Sequence, residues 1–490
     1  MFACPIFHNY NKGMSRIYFV LSSKIALRSW PFAPRAYYVR YKPYAKRLSK
    51  EEADVLLMCD GEHDLEPNEL LANLEERHLI EKCEKGTRCD EWSVLRKYSS
   101  RYFPRMNLMI TGKCNYNCLH CFNAADNAPL MTEWSYEELL GLLDQAKDCG
   151  VNAFTITGGE PMLHPHFTDI LQGIYERRMY VEELNTNGYF ITQQILDKIK
   201  ATGYKPLMKI SFDGIGCHDW IRGFKGAEEK TLAAIELCIK NGFCVIAQTQ
   251  VNKKNLHTLI PTAKMLSELG VTAMRLIKTT EVPRWKKNAP QSCLDTEEYY
   301  SAMLDFLREY KNIETNMHAV IWQFIKVFPK YKRYALEAVK TENGKYDPTA
   351  PICKGNRGMI GMTSSGDIVP CLQMSGYLEE NDIHLGNLHK TPLSELLSKG
   401  DYIDQVCATL HQQRNADEKC SNCKYYRWCA GGCPALGGLY SPKRFDLLSR
   451  DITKCIFFEN GWYHKVAETL DGWENKTPVD ILEKKTGEIS

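Results

Sequence analysis

The sequence predicts an α/β protein built on a parallel sheet, with a small module before it and a cysteine-rich region after it. Three observations carry this reading. Between residues 105 and 280, strand-like and helix-like segments alternate six times, as β/α units in series do. The first hundred residues follow a different, charge-segregated pattern. Ten of the twenty cysteines fall in two clusters, at 114–121 and 353–455. A chain of 490 residues has room for about three domains.

The opening module is marked by charge. Residues 1–50 carry ten Lys/Arg and no acid, whereas 51–91 carry fourteen acids against four bases. "RIYFVLSSKIAL" and "RAYYVRYK", separated by Pro31 and Pro34, read as strands. Ser49 with Glu52 three residues on predicts a capped helix that buries Leu56, Leu57 and Cys59. "PNELLANLEERHLIEK" is a second helical pattern, opened by Pro67 near its first turn. The module ends near residue 100.

From "RMNLMIT" onward, strands "NAFTIT", "VEELNT", "LMKISF", "FCVIAQTQ" and "AMRLIK" are each preceded by an amphipathic helix, several stopping at Gly. The sheet is expected to be parallel, either doubly wound or an incomplete barrel. The alternation lapses beyond "EEYYSAMLDFLREYKN". After residue 350 the chain is rich in Cys, Gly and turns, and ligated metal is expected to hold it together in place of a large apolar core.

Composition narrows the class of function. Hydrophobic residues at 44% and charged residues at 25% are those of a soluble globular protein. A net charge of +2 predicts no bulk attraction to nucleic acid. No apolar run approaches the roughly 20 residues of a membrane span, and the N-terminus does not read as a signal peptide. A cytoplasmic location is expected, where so many cysteines point to metal rather than disulfides. The scattered ones (Cys4, Cys59, Cys83, Cys89, Cys149, Cys217, Cys238, Cys244, Cys293 and Cys407) read mainly as small core residues.

Cys114, Cys118 and Cys121 lie in the loop after the first strand of the alternating region, where α/β active sites form. As a zinc site they lack a ligand, which His120 or water would complete. As ligands of a four-iron cluster they leave one iron open. The C-x3-C-x2-C spacing, with His120 before the last Cys, resembles the signature of the radical S-adenosylmethionine (SAM) family. Later motifs extend the resemblance, each at the end of a strand. "TGGEP" (157–161), with Gly158, Gly159 and Glu160, resembles the motif that meets the methionine end of SAM, its glycines allowing close backbone approach to a ligand. Asn187 in "NTNG" resembles a ribose-contacting position. Ser211 in "ISFDG" and Arg222 match positions that hold SAM, Arg222 suiting a carboxylate. The resemblance implies a partial (β/α)6 radical SAM barrel over about residues 105–330. It also implies a [4Fe-4S] cluster on the three cysteines, and SAM on the open iron, cleaved to methionine and a 5′-deoxyadenosyl radical.

The second cluster reads Cys353-x12-Gly366-x4-Cys371, Cys420-x2-Cys423-x5-Cys429-x3-Cys433, then Cys455. Four cysteines within fourteen residues are also compatible with a zinc ribbon. The full seven-cysteine order resembles the SPASM extension, an iron–sulfur domain expected over 340–490. By that resemblance Cys420, Cys423, Cys429 and Cys455 close one auxiliary [4Fe-4S] cluster, and Cys353, Cys371 and Cys433 hold a second. The fourth ligand of that second cluster is open to another side chain such as Cys407, to water or to a substrate thiolate. Leu372 follows Cys371 where the related sulfatase maturases have an Asp base, which counts against that activity.

The first hundred residues resemble the winged-helix-like peptide-recognition domain of ribosomal-peptide maturases, the acid-free segment suiting an acidic leader. Together these resemblances imply a radical SAM/SPASM oxidoreductase that removes hydrogen from a precursor peptide and installs a cross-link, expected to be a Cys thioether. Reduced flavodoxin or ferredoxin would supply electrons. The alternatives are a sulfatase-type maturase, a tRNA- or small-molecule-modifying enzyme, and a non-catalytic iron–sulfur peptide-binding protein.

Overall fold

The computed structural model describes residues 17–477 apart from 126–127, 130–131, 342–344, 346 and 440–446. Cys4 and the outer ends of the first and last expected domains lie outside the described residues. The chain divides into two compact units between Tyr102 and Phe103.

In the first unit, "RIYFVLSSKIAL" is two strands rather than one. A turn at Ser22, where Ile25 N donates to Ser22 O (3.1 Å), sends the halves into different sheets. Ile17–Leu21 is the centre of a three-stranded antiparallel sheet, flanked by Asp60–Leu65 and Ile80–Cys83. Ile25–Trp30 and Ala33–Val39 form the hairpin of a four-stranded sheet whose edges are Lys46–Arg47 and Arg96–Lys97. Ser49 and Glu52 exchange the two bonds of a capping box on helix Lys50–Met58. Leu56 and Cys59 are buried as expected, but Leu57 is 50% exposed, because one residue turns a helix by about 100°. Pro67 lies outside the second helix, Glu69–Glu76, whose N-cap is Asn68 accepting from Leu71 N at 2.9 Å.

The second unit is organised by one sheet. Six parallel strands follow in chain order: β1 (Arg105–Met109), β2 (Ala153–Thr157), β3 (Tyr180–Thr186), β4 (Leu207–Ser211), β5 (Val245–Val251) and β6 (Ala273–Lys278). The alternation does not lapse at the helix Thr296–Tyr310. It continues into β7 (His318–Ile321), parallel to β6, before two antiparallel strands extend the sheet. At the other edge Met359–Met362 pairs in parallel with β1. Among the described residues the end strands do not pair with each other, so the sheet is an open, partial barrel.

Strand periodicity gives the sheet two unlike faces. Leu108, Ile156, Leu184, Ile210, Ala247 and Leu276 bury one face against the helices. Asn107, Thr155, Asn185, Lys209, Gln248 and Arg275 fall on the other, by their register across neighbouring strands. The region after 350 is more apolar than its composition implies. Leu393, Tyr402 and Phe457 join the main core, and Ile352, Val369, Met374 and Leu436 form a second cluster with Met109.

Removing the cap in Ser49→Ala is expected to destabilise helix Lys50–Met58 by about 1 kcal/mol. Faster amide exchange confined to that helix and its packed neighbours would register it; unchanged exchange would contradict the cap's role.

Candidate active site

The loop at 110–123 has little regular structure, and its shape is imposed by neighbours. Gly159 N and Glu160 N donate to Thr111 O and Lys113 O (both 2.8 Å). A Cβ at Gly158 would collide with Thr111 O, and one at Gly159 with Lys113 O. These glycines are therefore required by the cysteine loop's own backbone. Further along, Asn117 N donates to Arg222 O (3.2 Å) and Leu119 N to Ile221 O (2.9 Å). Arg284, almost fully buried, donates from Nε to Cys118 O (2.9 Å) and from Nη2 to Asn117 Oδ1. Asn123 completes the frame, donating to Gly158 O (3.3 Å) and accepting from Ser375 Oγ (3.0 Å).

Glu160 is fully buried after β2 and joins three elements. Its carboxylate accepts from Thr186 Oγ1 and Asn187 N (both 2.8 Å) and more weakly from Met162 N (3.3 Å). Burial outweighs these donors and pushes its pKa up to about 7. Asn187 in turn donates from Nδ2 to Asn115 Oδ1 (2.8 Å), inside the cysteine loop. Ser211 ends β4 on the polar face, partly exposed.

A buried ion pair stands behind the thiols. Arg222 Nε donates to Asp213 Oδ2 (2.6 Å), His218 Nδ1 lies 3.1 Å from the same oxygen, and Gln250 N donates to Asp213 Oδ1 (2.9 Å). The Arg222 guanidinium and these bonds overcome burial and hold Asp213 well below the usual carboxylate range. Arg222 Nη1 lies 3.8 Å from Cys118 Sγ. Part of the guanidinium expected to meet a ligand carboxylate is thus committed to an internal one.

Cys114, Cys118 and Cys121 are free thiols that sense one another's charge. Burial pushes Cys114 up to about 12 and Cys121 to about 11, and raises Cys118 against the pull of Arg222. Thiols so placed ionise only with a cation at hand, which fits ligation to iron. His120 is held neutral by burial, down to about 3, and among the described residues its Nδ1 has no partner. Asn115 Nδ2 and Asn185 Oδ1 are likewise buried without partners among the described residues. These orphaned polar groups at the strand ends fit a polar ligand such as SAM.

The C-terminal thiols form two groups. Cys371 senses Cys353 and Cys433. Cys429 senses Cys420, Cys423 and Cys455. Backbone bonds from Ile352 N to Ala408 O (3.0 Å) and Leu410 N to Ala350 O (2.9 Å) hold the Cys407 segment beside Cys353. Leu372 is buried in the second apolar cluster, with no acid in its place. Among the described residues no three His, Cys, Asp or Glu side chains converge on a single-ion site. No helix among them is long and apolar enough to cross a membrane.

Sequence reasoning missed Asp213, His218, Arg284 and Asn115. Asp213 stood inside the quoted "ISFDG", but its role depends on Arg222, nine residues away. Arg284 comes from a separate element after β6, and no local spacing ties it to the loop.

Gly159→Ala is expected to displace the loop and lose iron at Cys114, Cys118 and Cys121 while auxiliary iron stays. Iron content and absorbance after anaerobic reconstitution would show it, and full iron would refute the contact. Asp213→Asn leaves Arg222 uncompensated and is expected to cost about 3–5 kcal/mol. Because its folded pKa is depressed, Asp213 stabilises fully above the ordinary carboxylate range, and this is lost progressively as pH falls from that range through its lower folded pKa. Denaturation at neutral and acid pH should show that slope in the wild type and a reduced one in the variant.

Residues 108–266 match the Radical SAM superfamily, and residues 353–424 the iron-sulfur cluster-binding domain termed SPASM. An AdoMet-dependent heme synthase of Methanosarcina barkeri is 29% identical over 66% of this chain and 88% of its own length. The subtilosin biosynthesis protein AlbA of Bacillus subtilis is 28% identical over 47% of this chain and 51% of its own. The crystal structure of Streptococcus suis SuiB bound to precursor peptide SuiA superposes with a TM-score of 0.60 at 15% identity. That match covers 87% of this chain and 98% of SuiB and shows a shared fold. SAM and a [4Fe-4S] cluster are the cofactors of the first domain, and auxiliary iron–sulfur clusters those of the second. The chain is a radical SAM enzyme that carries a SPASM domain.

Proposed function

We propose that this enzyme matures a precursor peptide, removing hydrogen from it and closing a cross-link, most simply a Cys thioether. The observation that carries the reading is the unit ending at Tyr102. The SuiB likeness covers 87% of the chain, more than residues from Phe103 onward can supply, so it reaches into that unit. The heme synthase match leaves about a third of this chain without a counterpart. AlbA, a bacteriocin biosynthesis protein, supports peptide chemistry from the sequence side.

The three-stranded sheet has two edge strands among the described residues, and on the Asp60–Leu65 edge Gly61 O already accepts from Gly86 N (2.8 Å). Asp60–Leu65 is the longer, and an extended leader can add to it by backbone bonds. This revises the expected leader charge. Asp60, Glu62 and Asp64 lie on that edge strand, while the Lys/Arg excess lies mainly on the four-stranded sheet, whose edges are only two residues long. A leader with basic side chains fits the acidic edge better than an acidic one.

In the second unit, Cys114, Cys118 and Cys121 would hold the SAM-binding cluster. Gly158, Gly159, Glu160, Asn187, Ser211 and Arg222 shape the adjoining surface, and neutral His120 packs edge-on to Trp285. When bound, the reduced cluster and SAM supply reductive cleavage of the sulfonium and removal of an unactivated hydrogen. The chain's part is to fix the loop through Arg222 and Arg284, keep Glu160 buried, and offer a polar face to the substrate. The two C-terminal thiol groups would hold auxiliary clusters, with reduced flavodoxin or ferredoxin as the electron source.

Anaerobic, reduced protein should cleave SAM to 5′-deoxyadenosine, and changing Cys114, Cys118 and Cys121 to Ala should abolish this. A peptide encoded beside the gene should lose a pair of hydrogens per cross-link. Glu62→Lys with Asp64→Lys should weaken a basic leader's binding by about tenfold. SAM cleavage with no mass change in any such peptide would defeat the peptide reading.

A further inference from the structure

The cations around the polar face of the sheet are matched by partners. Lys209 Nζ lies 2.7 Å from Glu183 Oε2, and Arg105 Nε 2.8 Å from Glu182 Oε2. Lys454, fully buried, donates to Gln323 O. Arg275 is different. It stands on β6 in the row Ser211–Gln248–Arg275–Val320, on the face that also carries Asn185 and Lys209. Among the described residues its guanidinium makes no hydrogen bond and no ion pair, and its contact is the Trp322 ring, 5.9 Å away at the centroid.

The two carboxylates whose fields reach Arg275, Glu337 and Glu183, are engaged elsewhere. Glu337 binds Lys326 Nζ (2.7 Å) and Gln323 N (3.1 Å), and Glu183 binds Lys209 and Thr155 Oγ1 (3.2 Å). Burial lowers the Arg275 pKa despite them. A guanidinium stays charged in a protein, so a largely enclosed one without an acceptor calls for an anion from outside. Its planar fork suits a carboxylate, and an aromatic face beside it holds the cation in place. Trp322 packs on the apolar cluster that contains Leu372 and Cys433, and Arg275 and Cys371 sense each other's charge. The cation thus lies on the polar face of the sheet, near the Cys353, Cys371 and Cys433 group.

We infer that Arg275, against Trp322, is a carboxylate-binding subsite of the substrate cavity, and that the substrate enters with an acidic group directed to it. The inference rests on the peptide reading only for the source of the carboxylate, an Asp or Glu side chain of the core peptide. The propionates of a tetrapyrrole offer the same chemistry.

Footprinting tests this on the reconstituted full chain. Phenylglyoxal labelling of Arg275, read by peptide mass spectrometry, is compared with and without four probes: a short Glu-containing peptide, its Gln counterpart, Fe-coproporphyrin III and its tetra-amide. The Glu peptide is expected to slow labelling of Arg275 at least several-fold, and its Gln counterpart to leave it unchanged. Protection by Fe-coproporphyrin III alone keeps the subsite and removes the peptide source. If neither acid protects more than its amide, or if Arg275 is never labelled, the subsite is overturned. For the protecting acid, affinity read by tryptophan quenching should fall at least about tenfold in R275Q and less in R275K. Equal affinity in folded, iron-loaded R275Q would also overturn it. Should R275Q fail to fold, the footprint on the wild type decides.

Discussion

A loop with only a few hydrogen bonds of its own among the described residues has to hold three thiols in one arrangement, and it borrows its shape from the strand ends around it. The tightest constraint is backbone against backbone. The turn after β2 presses Gly158 and Gly159 onto the carbonyls of Thr111 and Lys113, where no side chain fits. On the other side, Arg222 and Arg284 receive or bond the loop at Asn117 and Cys118. With the loop pinned from both sides, thiols that burial drives toward the neutral form are kept gathered for a metal cluster.

The pinning is electrostatic as well as steric. Asp213 and Arg222 satisfy each other in a site closed to water, and the pair places positive charge beside Cys118. Glu160 does the complementary task, tying β2 to β3 and, through Asn187, to Asn115. Glu160, Asn187 and Asn115 bond in one group, Asp213, Arg222 and Gln250 in a second, and Arg284 bonds the loop directly. Polar groups without partners among the described residues, on Asn115, His120 and Asn185, mark the side open to ligand.

The C-terminal region is bound into this arrangement and does not stand apart from it. Met359–Met362 extends the sheet at β1, and Ser375 bonds Asn123 at the end of the cysteine loop. Close backbone contact at Gly376 against Phe122 excludes a side chain there. The sheet's polar face and the Cys353, Cys371 and Cys433 group therefore belong to one folded unit, with Arg275 and Trp322 between them.

Local signals were enough for much of this. Helix caps such as Ser49–Glu52, the six alternating segments and the spacing of Cys114, Cys118 and Cys121 are written within a few residues of one another, and period and spacing survive folding. The sequence alone also placed ten cysteines in two spaced clusters, at 114–121 and 353–455. The seventh strand escaped because four residues show too little periodicity, and the apolar strength of the last region escaped because its partners lie in the barrel core. Only the tertiary structure decided that the TGGEP glycines serve the cysteine loop, that Arg222 answers Asp213, that Arg284 clamps Cys118 from another element, and that Arg275 has no ion-pair partner among the described residues. Each of these is a contact between groups far apart in the chain, and no local pattern encodes which distant neighbour a side chain will meet.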